Sequence, residues 1–198
     1  MYNETFHTAG SPSLAQEVVA RLRAGGFDAE TTVRGIDHGV WVPFKVAFPH
    51  DDKSYWDLDC PLLQVSLPGS DDFDESYALG KALAPLRDQG GLIIVSGMSV
   101  HNLRDHMMGG FTGYTKPFNT KLTEALQADD RLAGLQELQN RDNVQLLRHA
   151  HPTLEHFLPV VVGAGSAQSD PVKELYSSAS GALGWNIYRF GETPKSTL

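Results

Sequence analysis

The chain has 198 residues and a net charge of −8, with 41% hydrophobic and 20% charged residues. This length fits one globular domain, so we expect a single domain over 1–198. The acidic balance argues against nucleic acid and anionic membranes as partners, because both select clustered Lys and Arg. The single cysteine, Cys60, excludes an intrachain disulfide and a Cys-rich zinc site.

The apolar runs and the N-terminal stretch show no pattern typical of a membrane span or a signal peptide. The longest apolar runs, "GLIIVSGMSV" and "FLPVVVGAG", are too short to span a bilayer. The N-terminus "MYNETFHTAGSPS" lacks the basic start and the apolar core of a signal peptide. These features predict a cytoplasmic protein.

Helical and extended patterns alternate along the chain. The first helix is predicted over 11–26, where Ser11 or Ser13 can cap the start and Gly25 and Gly26 follow the apolar stripe. Further helices are predicted over 71–91, 116–140 (one helix broken near Asp129–Asp130, or two) and 152–165. The segment 37–49 is compatible with a strand or a helix, and a helix that begins near Asp37–His38 is favoured, with Pro43 inside it as a cost. Strands are predicted over 27–33, 60–67, 92–99 and 185–191.

The alternation predicts an α/β fold with three layers, helix–sheet–helix, around a mostly parallel or mixed central sheet. The run 92–99 is continuously apolar, which is typical of a central strand buried on both faces. Ligands of such sheets bind beyond the carboxyl ends of the strands. The loop "SGMSVHN" (96–102) therefore makes His101, with Asn102 beside it, the best-placed histidine. His101 can serve as a metal ligand or a general acid–base, or can bond loop backbone.

Two other places in the sequence combine histidine with a carboxylate. In "DHGVWVPF", Asp37 can orient the His38 imidazole or cap the following helix. In "HPTLEH", His151 and His156 are five residues apart, about 140° around a helix, so they do not form an HExxH-type zinc motif. One of these two histidines can serve a site while the other supports the start of the helix.

Taken together, "DHGVWVPF", "LIIVSGMSVHNLRD" and "HPTLEHFLPVVVGAG" resemble the LigB-like class III extradiol ring-cleavage dioxygenases, in the branch of the DOPA 4,5-dioxygenases. The motifs occur in the family's order, "YRFG" near the end also matches, and the resemblance covers nearly the whole chain. It implies a mononuclear non-haem metal, Fe(II) or Zn(II), that binds a catechol and O2 without an organic cofactor. A homo-oligomer is compatible with it.

The resemblance also implies roles for individual residues. His156 matches a metal ligand, His101 the acid–base histidine, and His38 a second active-site histidine. His151, with Asp37 and Asn102, is expected to contact the substrate or support the site.

One part of the family pattern has no counterpart in this sequence. The family's other two metal ligands lie in N-terminal HG-x-P-like and SAHW-like contexts, and neither occurs here. We therefore expect an N-terminally truncated domain with an exposed sheet edge. The alternatives are a catalytically impaired member that binds metal or a protein partner, and a zinc-dependent hydrolase that uses the same histidines.

Overall fold

The structure is a computed structural model that describes residues 6, 8–48, 58 and 60–192 of the chain. The chain divides into two units, Met1–Ser66 and Leu67–Leu198. None of the helices in the described ranges is both long and apolar enough to cross a membrane.

The helices of the first unit begin at the capping residues that the sequence offers. Helix α1 (Pro12–Ala24) follows Ser11, whose hydroxyl accepts a hydrogen bond from the backbone N–H of Leu14. Helix α2 (His38–Ala47) follows Asp37 in the same way. Both predicted helices are confirmed, because a side-chain oxygen just before the first turn satisfies one of the N–H groups that a helix leaves unpaired.

The second unit contains most of the helices and the sheet. Its helices are α3 (Phe73–Leu83), α4 (Leu103–Met108), α5 (Thr115–Gln127), α6 (Arg131–Gln136), α7 (Val144–Ala150) and α8 (Leu158–Ala167), with short 3₁₀ turns at Ala84–Gln89 and Glu137–Gln139. The predicted helix 71–91 corresponds to α3 and the 3₁₀ turn after it. The predicted break near Asp129–Asp130 separates α5 from α6, where the Asp130 carboxylate caps α6.

The sheet of the second unit is antiparallel. Strands β1 (Val100–His101), β2 (Val172–Ser180) and β3 (Leu183–Phe190) lie in the order β1-β3-β2, and both pairs run antiparallel. The sheet contacts α5, and β3 also contacts α8. The α/β class and the final strand are confirmed. The expected parallel pairing is not formed among the described residues, since both strand pairs of this sheet are antiparallel.

The strands predicted over 27–33, 60–67 and 92–99 are wrong. These segments form no strand among the described residues, and in the run 92–99 Leu92 and Ile94 are 83% and 53% exposed. A strand requires a neighbour that pairs its N–H and C=O groups, and apolar composition alone does not supply one. Val95 still packs inward, since a Cβ on Gly163 of α8 would lie 2.9 Å from its Cγ2.

The helix predicted over 152–165 begins six residues later, at Leu158. Residues 152–157 instead form a turn in which the N–H groups of Phe157 and Leu158 both donate to the Leu154 carbonyl. Pro159 explains the shift: it has no N–H to donate to the carbonyl of residue 155, and it suits the first turn of a helix. His156 therefore lies in the turn before α8 and not within a helix.

Helices α3 and α8 pack at glycine positions that no larger residue could occupy. A Cβ on Gly80 would lie 2.0 Å from the Val162 carbonyl oxygen, and one on Gly165 would lie 2.1 Å from the Tyr77 carbonyl oxygen. The apolar core adjoins this contact and includes the fully buried rings of Phe73, Phe118 and Phe157. The turn 152–157 thus rests directly on the core of the second unit.

Candidate functional site

Two backbone segments of the second unit meet through a glycine. The N–H of Met98 donates to the His156 carbonyl oxygen over 3.0 Å. A Cβ on Gly97 would lie 2.2 Å from the same oxygen, closer than any side chain could sit. This contact aligns the segment 97–102, which contains β1, with the turn 152–157.

The contact brings His101 and His156 face to face. Their ring centroids are 3.7 Å apart and their planes differ by 12°. The Nδ1 of His156 lies 3.1 Å from Oε1 of Glu155, and the Thr153 hydroxyl donates to that same oxygen over 2.9 Å. The predicted acid–base histidine and the predicted metal ligand therefore lie together, beside a carboxylate.

The cluster brings together three side chains of the types that bind divalent cations. One nitrogen from each of His101 and His156 and one carboxylate oxygen of Glu155 all lie within 4.8 Å of one another. The two imidazole rings are stacked nearly parallel, so their nitrogen lone pairs run side by side, whereas the Glu155 oxygen lies directly against Nδ1 of His156. Two imidazoles and a carboxylate are donors that both Fe(II) and Zn(II) accept.

Burial and neighbouring groups shift the pKa values of His101 and Glu155. Burial lowers the pKa of His101, a positive charge on His156 lowers it further, and the Glu155 carboxylate acts in the opposite direction. Burial raises the pKa of Glu155, but hydrogen bonds from Thr153, from its own backbone and from His156 outweigh burial and lower it. Near neutral pH the cluster thus presents a neutral His101 imidazole next to an ionised carboxylate.

His151 lies behind the cluster and not within it. It is fully buried, and its Nε2 donates to the Ser99 carbonyl oxygen over 2.8 Å. Its ring contacts those of Phe118 and Phe157, and its Nδ1 has no hydrogen-bond partner among the described residues. Burial lowers the pKa of His151 to about 4. The ring is therefore neutral at physiological pH and holds the backbone two residues before His101.

The Asn102 side chain also holds backbone segments together through hydrogen bonds. It is 5% exposed, its side-chain oxygen accepts from the N–H of Asp105, and its side-chain nitrogen donates to the His149 carbonyl over 2.8 Å. Its own N–H donates to the Ala182 carbonyl. These bonds join the start of α4 to α7 and to the β2–β3 turn, directly after His101.

His38 and Asp37 belong to the first unit, Met1–Ser66. The Asp37 carboxylate both caps α2 and contacts the His38 ring. It accepts a hydrogen bond from the N–H of Gly39, and it lies 2.9 Å from Nδ1 of His38. The His38 side chain is 65% exposed. Its ring is thus oriented by a carboxylate and open to a ligand.

Glu155 is the cluster member that sequence reasoning did not assign to the site. Its position next to His156 was the available signal, since a carboxylate beside a histidine ligand is a common second donor. The signal was hidden because a helix over 152–165 would direct neighbouring side chains about 100° apart. In the observed turn, Glu155 and His156 converge.

Comparisons with known proteins place this chain among similar sequences. A family model described as the catalytic LigB subunit of aromatic ring-opening dioxygenase matches residues 1–191. The chain is 33% identical to a 4,5-DOPA dioxygenase extradiol-like protein of Schizosaccharomyces pombe, covering 93% of this chain and 62% of that protein. It is 32% identical to the 4,5-DOPA dioxygenase extradiol of Mirabilis jalapa, covering 100% of this chain and 72% of that protein. The corresponding Beta vulgaris protein is also 32% identical, over 98% of this chain and 70% of its own length.

The fold is shared with a solved structure. The crystal structure of an uncharacterized protein from Escherichia coli K12 superposes with a TM-score of 0.71 at 23% identity, covering 95% of this chain and 76% of that chain. This likeness supports the architecture described above. The chain thus spans 62% of the length of the Schizosaccharomyces pombe relative and about three quarters of the solved structure.

Proposed function

Because this chain belongs to the family of catalytic LigB subunits of aromatic ring-opening dioxygenases, we propose that it is an extradiol dioxygenase that opens a catechol ring with O2. The observation that carries the proposal is the stacked pair of His101 and His156 with Glu155 beside it. A DOPA-like catechol is the favoured substrate, since relatives from Mirabilis jalapa and Beta vulgaris bear the name 4,5-DOPA dioxygenase. A single family domain over 1–198 would carry the activity.

We assign the metal to His156, with the Glu155 carboxylate as the adjacent donor. Both side chains lie in the turn before α8, and their donor atoms are 3.1 Å apart. Bound Fe(II), or Zn(II), would supply the electrophilic centre at which a catechol and O2 meet.

His101 is the proposed acid–base group. Its lowered pKa keeps the imidazole neutral, so one ring nitrogen can accept a proton from a catechol hydroxyl and later return it. The stacking on His156 places it beside the metal ligand. In this assignment His101 moves protons and does not bind the metal.

The remaining predicted residues have supporting roles in this proposal. His151 and Asn102 hold the backbone on either side of the β1 segment through the Ser99 and His149 carbonyls. His38 is proposed as the second histidine that contacts the substrate, with its ring oriented by Asp37.

The proposal is tested by measuring metal content and O2 uptake with DOPA in the presence of Fe(II). Wild type and the exposed-histidine control His106→Ala should hold near-stoichiometric iron or zinc and consume O2. His156→Ala should lose the metal and at least about 100-fold of the rate, equivalent to about 2.7 kcal/mol. His101→Ala should keep the metal and lose the O2 uptake.

Three outcomes would contradict parts of this proposal. A metal-free wild type would remove the site altogether. A metal-loaded wild type that consumes no O2 with catechols would leave metal binding without turnover. Loss of metal from His101→Ala would make His101 a ligand and would require another proton acceptor.

A further inference from the structure

A cavity lies between α4 and α7, and its lining begins at Asn102, the residue after His101. Its volume is about 440 Å³. The residues that line it combine two arginines, one histidine and one carboxylate with apolar atoms: Asn102, Arg104, Asp105, Met108, Gly110, Arg148, His149 and Pro152. Neither His101 nor His156 lines this cavity, and the proposed chemistry uses none of its charged groups.

The walls of the cavity are held by hydrogen bonds and ring contacts. The Asn102 side chain bonds both the Asp105 N–H and the His149 carbonyl, which joins the two helices at the base of the cavity. The Tyr114 hydroxyl donates to the Asp105 carboxylate over 2.9 Å, and its ring stacks on His149 at 5.7 Å with planes 19° apart. Of these, Asn102 and Tyr114 are each only 5% exposed. These contacts hold Asn102, Asp105 and His149 in place on the lining of the cavity.

The charges of the cavity favour an anion. Within the part of the chain that the structure describes, neither Arg104 nor Arg148 forms an ion pair. The carboxylate of Asp105 is already bound by the Tyr114 hydroxyl. Burial and that contact raise the pKa of Tyr114, so the hydroxyl remains a donor. The lining therefore carries two arginines without an ion pair and one carboxylate that has its own partner.

The remaining surface of the cavity is apolar. Met108 and Pro152 lie on the lining, and the Met108 side chain is 77% exposed, so it can fold over a ligand. Guanidinium groups pair with carboxylates through two parallel hydrogen bonds, and each such pair is stronger than one between neutral groups. We propose that this cavity binds a small organic carboxylate, with the acid group on Arg104 and Arg148 and an apolar body against Met108 and Pro152.

The test is a calorimetric titration of the full chain with benzoate, benzamide and inorganic phosphate. Benzoate should bind with 1:1 stoichiometry, and benzamide, which has the same body without the charge, should bind at least tenfold more weakly. Phosphate, which has charge without an apolar body, should also bind at least tenfold more weakly. Arg104→Gln and Arg148→Gln should each weaken benzoate binding at least fivefold, and the double variant should abolish it.

Two controls separate this site from the proposed dioxygenase. Arg141→Gln removes an exposed arginine outside the cavity and should leave benzoate binding unchanged. His156→Ala should also bind benzoate as wild type does, even where metal and O2 uptake are lost. Benzoate binding that is absent, that survives removal of both arginines, or that disappears with His156→Ala would overturn the proposal, as would equal binding of benzamide.

Discussion

His151 and His156 lie five residues apart in one short segment, yet the fold treats them in opposite ways. His151 is fully buried, donates one hydrogen bond to the Ser99 carbonyl and contacts two phenylalanine rings. The side chain of His156 is 27% exposed, stacks on His101 and pairs with Glu155. The comparison teaches that the two ends of "HPTLEH" have different surroundings: its first histidine holds the backbone in place, and its last, the proposed metal ligand, lies partly exposed beside Glu155. Stability should therefore depend on His151 and chemistry on His156.

The largest effect on stability is expected from His151→Ala. The substitution leaves a cavity in the core and removes the partner of the buried Ser99 carbonyl, which together should cost about 4 kcal/mol of unfolding free energy. His156→Ala should cost less than about 1 kcal/mol, because its ring is partly exposed. Urea unfolding of both variants measures the difference, and equal losses would contradict the division of roles.

The pH dependence of stability should carry the signature of His151. Its pKa is about 4 in the folded protein, against 6.5 as the ordinary value. Between these values the unfolded chain binds a proton more readily than the folded one. Stability is therefore retained above about pH 6.5 and falls by up to about 3 kcal/mol as the pH drops to about 4.

The control for this pH dependence is His151→Gln, which cannot titrate. Urea unfolding of wild type and variant at several pH values between about 7 and about 4 separates the histidine from the acidic residues that both proteins share. The stability of wild type should fall more steeply than that of the variant. Parallel slopes would show that His151 has an ordinary pKa in the folded state.

Gly97→Ala should lower both the stability of the protein and its metal content. The added Cβ would lie 2.2 Å from the His156 carbonyl oxygen, so the two segments must separate. We expect a loss of about 2 kcal/mol in stability, typical of overpacking, together with a fall in metal content. Gly69→Ala is the matched control, because a Cβ there meets nothing within 4 Å. Full metal content in Gly97→Ala would show that the close approach of the two segments is not needed for the site.

The smallest effect is expected from Glu155→Gln. The amide keeps the shape of the side chain and removes its charge, so metal affinity should fall about tenfold, or about 1.4 kcal/mol, with stability nearly unchanged. Competition with a chelator of known affinity measures this change. An unchanged affinity would make Glu155 an orienting partner of His156 and not a ligand.

Local signals account for the elements that sequence reasoning predicted correctly. Ser11 and Asp37 cap their helices, the pair Asp129–Asp130 separates α5 from α6, and the final strand ends as predicted in "YRFG". Each of these signals acts over a few residues, so it can be read from the sequence directly. The family was also identified in this way, and the match over residues 1–191 confirmed it.

The wrong strand predictions depended on distant partners. The run 92–99 has the composition of a central strand, but strand formation requires a neighbouring strand. Among the described residues its partners are single groups instead: the Met98 N–H donates to the His156 carbonyl, and the Ser99 carbonyl accepts from Nε2 of His151. Helices α4 and α7 and strand β2 were not predicted. The first two are short, and β2 forms through its pairing with β3.

The amino-acid sequence by itself determined the family and the identity of the two histidines that meet at the site, because these reside in motifs of a few residues each. It also determined the α/β class, which follows from the alternation of helical and extended patterns along the chain. Only the tertiary structure decided that His151 is buried, that Glu155 joins His101 and His156, and that two arginines face a common cavity. The physical reason is that burial and convergence depend on contacts between segments distant in sequence, such as that of Gly97 with His156, and no local pattern encodes such contacts.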